Sequence, residues 1–286
     1  MKPKNIKFKK NESFYIRDGW YEKALNAIAE NKEGNVFYKN NGITMLGIGS
    51  NMVKGLKYWL CASNIIEIVG SKTILGKLGK NIYKYDRYFE SFFSWYFVHY
   101  FLATNYEECP IFYGTFNTDL KSFKKQELVA YLSSIFAIDG FEAKIEYIDE
   151  DTSVFLKTYI SDQIIENPED NYVCPLSSLK LLKKNGDKIE KSKPSYQSLS
   201  YLIIYYALAN LYKFKAFKIE DSLDEINSPY LLFNLDKNMY LQYLEDMKKN
   251  GLITINKTAG LNTVYFEKKL TLDDVFEMYF GGDNNV

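Results

Sequence analysis

Histidine is almost missing from this chain: there is one, His99, in 286 residues. A Ser-His-Asp or Cys-His mechanism would have to use it. It sits in the apolar stretch Trp95–Leu102, where a lone imidazole reads as a hydrogen-bonded core residue. Cysteine is also scarce. Cys61, Cys109 and Cys174 are odd in number and widely spaced. That excludes a disulfide framework and the ligand spacing of a Cys/His zinc site, and it points to a reducing compartment. No GxxxxGK phosphate loop occurs, and Gly76–Gly79 (GKLG) is too short to serve as one, so ATP use is not indicated. No apolar run reaches the ~20 residues of a membrane-spanning helix. The most apolar, Phe89–Leu102, contains His99 and reads as a buried helix. The opening MKPKNIKFKK has no apolar core of a secretory signal. No internal repeat recurs at a fixed period. The expectation is a cytoplasmic protein with no membrane partner.

What is present is a globular composition, 47% hydrophobic with 25 Tyr and 20 Phe, chiefly core-filling. The length suits one large domain or two ordinary ones. Net charge is zero, but it is unevenly spread. Residues 1–17 carry Lys2, Lys4, Lys7, Lys9, Lys10 and Arg17 against Glu12 alone. Residues 51–87 carry seven basic side chains against Glu67 and Asp86, whereas 139–170 carry ten acidic ones against Lys144 and Lys157. A basic N-terminal third beside an acidic middle implies a polyanion partner for the first and a different task for the second.

Periodicity divides the chain into residues 1–87, 88–190 and 195–286. In the first, Trp20–Glu30 reads as a short helix with Asp18 as its cap, followed by a polar stretch over 31–41. Gly47–Ser50 is a turn, and Ser50 or Asn51 caps the next helix. That helix places Met52, Val53, Leu56, Trp59 and Leu60 on one side. Asn51, Lys54, Tyr58 and Cys61 fall on the other, with Lys57 at the boundary. Ile65–Val69, a turn at Gly70–Lys72, and Thr73–Leu75 form a hairpin. Helix, glycine turn, helix and hairpin is the order of a winged helix, whose second helix enters the major groove. Candidate DNA contacts are Ser50, Asn51, Lys54, Lys57, Tyr58, Lys72, Lys77 and Lys80, the lysines to neutralise phosphates. A solvated lysine face is the plainer alternative for the helix alone.

The middle segment reads as helical over Phe89–Thr104, Lys125–Phe136 and Thr152–Asp162. Lys121–Lys125 is an exposed basic patch, Asn167–Asp170 a loop, and Asn185–Pro194 a linker. The last segment gives a second winged-helix-like unit: helices over Ser198–Tyr212 and Leu235–Asn250, a hairpin over Ile253–Ile255 and Thr263–Glu267, and a final helix over Leu270–Tyr279. The charges on its second helix nearly cancel, leaving DNA contact and a protein-facing role equally open. The fold class expected is mainly α with small β-hairpin wings.

Carboxylate and metal chemistry remains for catalysis. Glu142 and Lys144 have the ExK spacing of many metal-dependent nucleases, with Asp139 just upstream. Hard carboxylate oxygens would hold Mg²⁺ or Mn²⁺. Asp149-Glu150-Asp151 is a denser cluster, and Asp149 and Asp151 are the candidate metal ligands. The plainer reading of this cluster is capping of the Thr152–Asp162 helix.

Several stretches resemble a known family when taken together: Phe14–Trp20 (FYIRDGW), Gly47–Lys54 (GIGSNMVK) followed by Tyr58-Trp59-Leu60, Trp95–Asn105, Asp151–Tyr159, and Cys174-Pro175-Leu176. Their order is similar to that of a bacterial family first catalogued as a domain of unknown function. Within it, the chain resembles the SspB-like proteins of single-stranded DNA phosphorothioation and phage-defence systems. The resemblance implies DNA nicking in concert with a cysteine desulfurase, an ATPase and a reductase-like sulfurtransferase. The nick would open the strand for exchange of a non-bridging oxygen for sulfur. It assigns no nicking residue; the acidic candidates come from the residues alone. Three functions follow: a metal-dependent nicking endonuclease subunit, a non-catalytic DNA-binding adaptor or transcriptional regulator, and a protein-binding scaffold. Double-stranded DNA is the expected partner, and homodimerisation is left open.

Overall fold

The computed structural model describes residues 5–160, 173–258 and 261–282. The expected loop at Asn167–Asp170 lies outside these, as do Lys2 and Lys4 of the basic arm. The chain is mainly helical, with thirteen α-helices among the described residues and three small antiparallel sheets. It forms two compact units. The first is Met1–Thr115 with Leu120–Ser192, and the second is Phe116–Asp119 with Lys193–Val286. Residues 1–87 and 88–115 thus share one unit.

In the first unit, α1 (Trp20–Glu30) has the limits its periodicity indicates. Its N-cap is Gly19 in the left-handed region rather than Asp18, and no side chain caps it. At the end of the polar stretch begins a helix that the sequence reading lacks, α2 (Asn41–Leu46), closed by left-handed Gly47. α3 (Ser50–Ala62) starts after Gly49, with no side-chain cap from Ser50 or Asn51. Val53, Leu56, Trp59 and Leu60 recur at helical spacing and are buried. Each such side chain contributes about 1.5–3 kcal/mol by leaving water. β1 (Ile66–Val69) and β2 (Lys72–Leu75) form a hairpin with Ile66 opposite Leu75 and Val69 opposite Lys72. α4 (Lys77–Tyr85) then packs against both strands. α5 (Phe92–Thr104) is apolar around most of its circumference and buried from Phe93 to Tyr100, with Phe92 exposed at its start.

The rest of the first unit holds α6 (Pro110–Phe116, whose last residue belongs to the second unit), β3 (Ser122–Phe123), α7 (Lys125–Ile138), α8 (Ile145–Tyr159), β4 (Leu182–Asn185) and β5 (Lys188–Lys191). The expected linker over Asn185–Pro194 is therefore corrected. Most of it belongs to the β4–β5 hairpin, where Leu182 and Ile189 bury themselves and the intervening lysines face solvent. α8 begins at Ile145, not Thr152, so Asp149-Glu150-Asp151 lie inside the helix and do not cap it.

The second unit holds α9 (Tyr201–Tyr212), β6 (Phe217–Lys218), α10 (Asp221–Asp224), α11 (Pro229–Leu232), α12 (Lys237–Lys249), β7 (Ile253–Thr258), β8 (Leu261–Phe266) and α13 (Leu272–Gly281). Its core gathers Ile203, Tyr240, Leu244, Met247, Val264 and Phe276.

One chain order recurs three times: helix, short strand, helices, hairpin. β6 pairs with β8, giving the order β6-β8-β7, and β3 pairs with β5, giving β3-β5-β4. In the first instance the short strand is reduced to one bond, from the Thr73 N–H in β2 to the Gly34 carbonyl between α1 and α2, 2.8 Å. Gly34 has φ +69°, and a Cβ there would stand 3.1 Å from Lys72 Cβ. Glycine thus permits the approach.

Candidate nucleic-acid interface

The front of α3 exposes Ser50, Asn51 and Lys54, with Lys57 and Tyr58 half-buried. The Lys54 Nζ donates to Asn51 Oδ1 at 3.2 Å, one turn away on the same face. Tyr58 differs from the other candidates. Its hydroxyl donates to the Glu108 carbonyl at 2.5 Å, lies 3.3 Å from Cys109 Sγ, and has its pKa driven up by burial. Its polar end therefore ties α3 to the 105–109 loop and is turned away from solvent. Lys72 on the hairpin and Lys77 and Lys80 on α4 are exposed. Ile68, Val69 and Ile74 of the same hairpin are exposed too, an apolar surface beside Lys72. The first turn of α3 carries no side-chain cap, which leaves its N–H donors available to an acceptor.

The basic arm proves to be a packed segment. Lys7 N–H donates to the Glu107 carbonyl, and its ammonium pairs with Glu107 and Glu108. Lys9 pairs with Glu150 at 2.8 Å. Phe8 meets Phe136 edge-on, and Ile6 and Ile16 are buried. The arm crosses α3 at Gly55, where a Cβ would fall 2.7 Å from the Asn11 carbonyl oxygen. Part of the charge segregation in the sequence is thus complementarity within one unit.

The acidic candidates lie close in sequence and apart in space. Asp149 and Asp151 are two positions apart on α8, about 200° around the axis. Asp149 pairs with Lys125 on α7 at 2.7 Å. Asp151 is buried and accepts from the Lys9 N–H and from Asn11 Nδ2, both at 2.9 Å. Burial pushes its pKa up, against the pull of those two donors. Glu142 and Lys144 are exposed in the segment before α8, where Lys144 is the N-cap residue. Asp139, at the end of α7, accepts from the Tyr106 hydroxyl at 2.6 Å. Among the described residues no three of His, Cys, Asp and Glu converge as a metal site. As placed, Asp149 and Asp151 do not fit a shared divalent cation. His99 is a core residue, with Nδ1 2.7 Å from the Tyr159 hydroxyl and no exposure. Burial pushes the Cys109 and Cys174 thiols up to about 12, so both are poor nucleophiles.

Against this geometry, the family described as "Protein of unknown function (DUF4007)" matches residues 8–280. The chain belongs to this family. Its fold is that of two solved structures. One, described as "Magnesium ion-bound SspB crystal structure", has a TM-score of 0.84 at 20% identity, covering 98% of this chain and 89% of that one. The other, "SspB crystal structure", has a TM-score of 0.82 at the same identity and coverage. No curated protein matches. The resemblance read from the FYIRDGW and GIGSNMVK segments is therefore borne out for family and fold. No helix among this family member's described residues is long and apolar enough to cross a membrane. Sequence reasoning missed the lysines of the β4–β5 hairpin and of late α8. The signal was there in Lys183, Lys184 and Lys188, but Gly186 and Pro194 read as linker punctuation.

Proposed function

We propose that the protein is the DNA-binding component of a bacterial DNA phosphorothioation and phage-defence system. On this reading α1–α3 and the β1–β2 hairpin act as a winged helix, with α3 in the major groove. The observation that carries it is the exposed front of α3. Asn51 and Lys54 stand on it above an uncapped N-terminus, with Lys72, Lys77 and Lys80 on the elements that follow. Lysines there neutralise phosphates, and the helix N-terminus accepts one more. Tyr58 supports the helix from behind. The second unit has the complete order of a winged helix, and the near-balance of charge on α12 favours a supporting or partner-facing role. The SspB-like fold is the reason for naming the pathway, with a cysteine desulfurase, an ATPase and a reductase-like sulfurtransferase as working partners and the residue ranges 1–87, 88–190 and 195–286 as functional segments. The test is duplex binding across a salt series. Lys54→Glu with Lys57→Glu should weaken it about 10–100-fold and lower the log–log salt slope by about two. Unchanged duplex affinity would remove α3 as the contact.

A second reading, DNA nicking with Mg²⁺ or Mn²⁺, is favoured by the magnesium ion named for one SspB structure. Supercoiled plasmid incubated with either metal tests it. Nicking that survives Asp149→Ala with Asp151→Ala would place the chemistry on other residues. Plasmid left supercoiled with every metal leaves the non-catalytic adaptor.

A further inference from the structure

The β1–β2 hairpin is fixed at its base and free at its tip. Ile66 and Thr73 are buried, the Gly76 N–H donates to the Ile65 carbonyl at 2.8 Å, and the Thr73 N–H is bonded to Gly34. α4 closes on the same base, where a Cβ at Gly79 would overlap the Ile65 carbonyl oxygen. At the other end Gly70, with φ +62°, turns the chain, and a Cβ there would meet nothing within 4 Å. This free end carries aliphatic side chains. Val69 is 58% exposed, more than its exposed neighbours Ile68 and Ile74. The register sets Val69 opposite Lys72 and Ile74 opposite Glu67, so these four share one face and Ile68 takes the other.

The lysines nearby are uncompensated. Lys72 beside the tip, and Lys77 and Lys80 on the helix that follows, are exposed and have no carboxylate partner among the described residues. Glu67, the one acidic side chain of the hairpin, stands on the base side of Val69. A rigid aliphatic tip beside free ammonium groups fits a ligand that is anionic outside and apolar inside. Duplex DNA is such a ligand: phosphates border its grooves, and base faces lie stacked between them. An apolar patch of protein would cover the tip and leave the lysines without counter-charge. We propose that the tip is a wedge: Val69, backed by Ile74, enters the minor groove, opens one base step and bends the duplex. Lys72 meets a flanking phosphate. Aliphatic wedges kink a duplex by about 20–90°. Pyrimidine–purine steps open most easily, so the wedge selects them without a base hydrogen bond. The proposal rests on the DNA-binding reading and adds an activity to it, bending, that α3 in a major groove does not itself supply.

The experiment is energy transfer between dyes on the two ends of a duplex of about 25 base pairs with a central TA step, at saturating full-chain protein. Transfer should rise on binding, and rise less with an A-tract in place of the TA step. Val69→Thr with Ile74→Thr keeps β-branched side chains, so the hairpin is retained. It should lose most of the rise and weaken duplex binding about 3–10-fold. The log–log salt slope should not change, because no charge is removed. Val69→Ile should keep the rise, and Lys72→Ala should keep it while lowering the slope by about 0.9. No rise with wild type, an equal rise with the threonine variant, or a rise as large on the A-tract overturns the proposal. So does a dimer in sedimentation velocity that the threonine variant dissolves, since the face would then belong to a second copy of the chain. Failure of the α3 reading looks different: Lys54→Glu with Lys57→Glu would keep duplex affinity while wild type still bends the duplex. If that variant loses affinity and the wild-type complex stays straight, α3 stands and the wedge falls. No duplex binding by wild type overturns both.

Discussion

α3 and α8 hold the same place in the recurring chain order, each the helix before a hairpin. α3 turns Ser50, Asn51 and Lys54 to solvent. α8 turns out Glu146, Tyr147 and Glu150, and three of its carboxylates, Glu150, Asp149 and Asp151, engage Lys9, Lys125 and the backbone of the N-terminal arm. The same scaffold thus carries a cationic front in one place and an internally neutralised one in another. The order of elements sets where a helix sits, while the ligand depends on which side chains remain exposed after the chain has packed on itself.

The largest effect should separate these two helices directly. Lys54→Glu with Lys57→Glu is expected to cost about 10–100-fold in duplex affinity. Glu146→Gln with Glu150→Gln neutralises two carboxylates on α8, a smaller charge change of the opposite sign, at a site where they face no phosphate. It should change affinity by no more than about three-fold at physiological salt, because exposed charges beyond roughly 8 Å are screened. An α8 variant that shifts binding as much as the α3 variant would mean that net charge, not the α3 surface, governs the association.

Next in size is the contact that ties the arm to α8. Asp151 offers one carboxylate oxygen to the Lys9 N–H and the other to Asn11 Nδ2. An asparagine can accept only one of them, so Asp151→Asn strands a buried donor at a cost of about 1–3 kcal/mol. Denaturant melting and hydrogen exchange at the Lys9 amide read it. The deficit should depend on pH. Burial raises the Asp151 pKa, so the folded state holds its proton longer than the unfolded one. Wild type therefore loses part of its advantage as pH climbs from about 4 through the raised value, and the gap to Asp151→Asn narrows toward pH 7. A gap that widens instead would show that the donors to the carboxylate outweigh its burial.

The contrast between the helices was only half legible in the sequence. α1, α3 and the β1–β2 hairpin are local objects: their apolar spacing and their glycine turns are written within a few residues of one another. α2 escapes because six residues, fewer than two turns, hold too little periodicity to show. β3 and β6 are two residues each and exist through pairing with strands that lie far along the chain, so the threefold order is invisible as a sequence repeat. α8 was foreshortened because Asp149-Glu150-Asp151 looks like a cap. Ile148, Thr152, Phe155 and Tyr159, buried at helical spacing, carry the helix through that cluster. Charge segregation was read as two separate tasks, since nothing in the linear pattern says that Lys7 and Lys9 will fold onto Glu107, Glu108 and Glu150. For the acidic candidates, neighbours in sequence diverged on the helix for the same geometric reason that i and i+2 never share a face.

The smallest effect tests what kind of force holds the arm. Lys9 and Glu150 form an ion pair with both side chains nearly half exposed, where water and salt weaken the attraction and ordering two long side chains opposes it. The Lys9 backbone N–H remains bonded to Asp151 whatever its side chain. Lys9→Ala should therefore lower the melting temperature by no more than about 1 °C and leave exchange protection at residue 9 unchanged. If Lys9→Ala loosens the arm as much as Asp151→Asn, the arm is held by exposed charge. High salt would then release it and uncover the α8 carboxylates, and the difference between α3 and α8 would belong to low ionic strength and not to the fold.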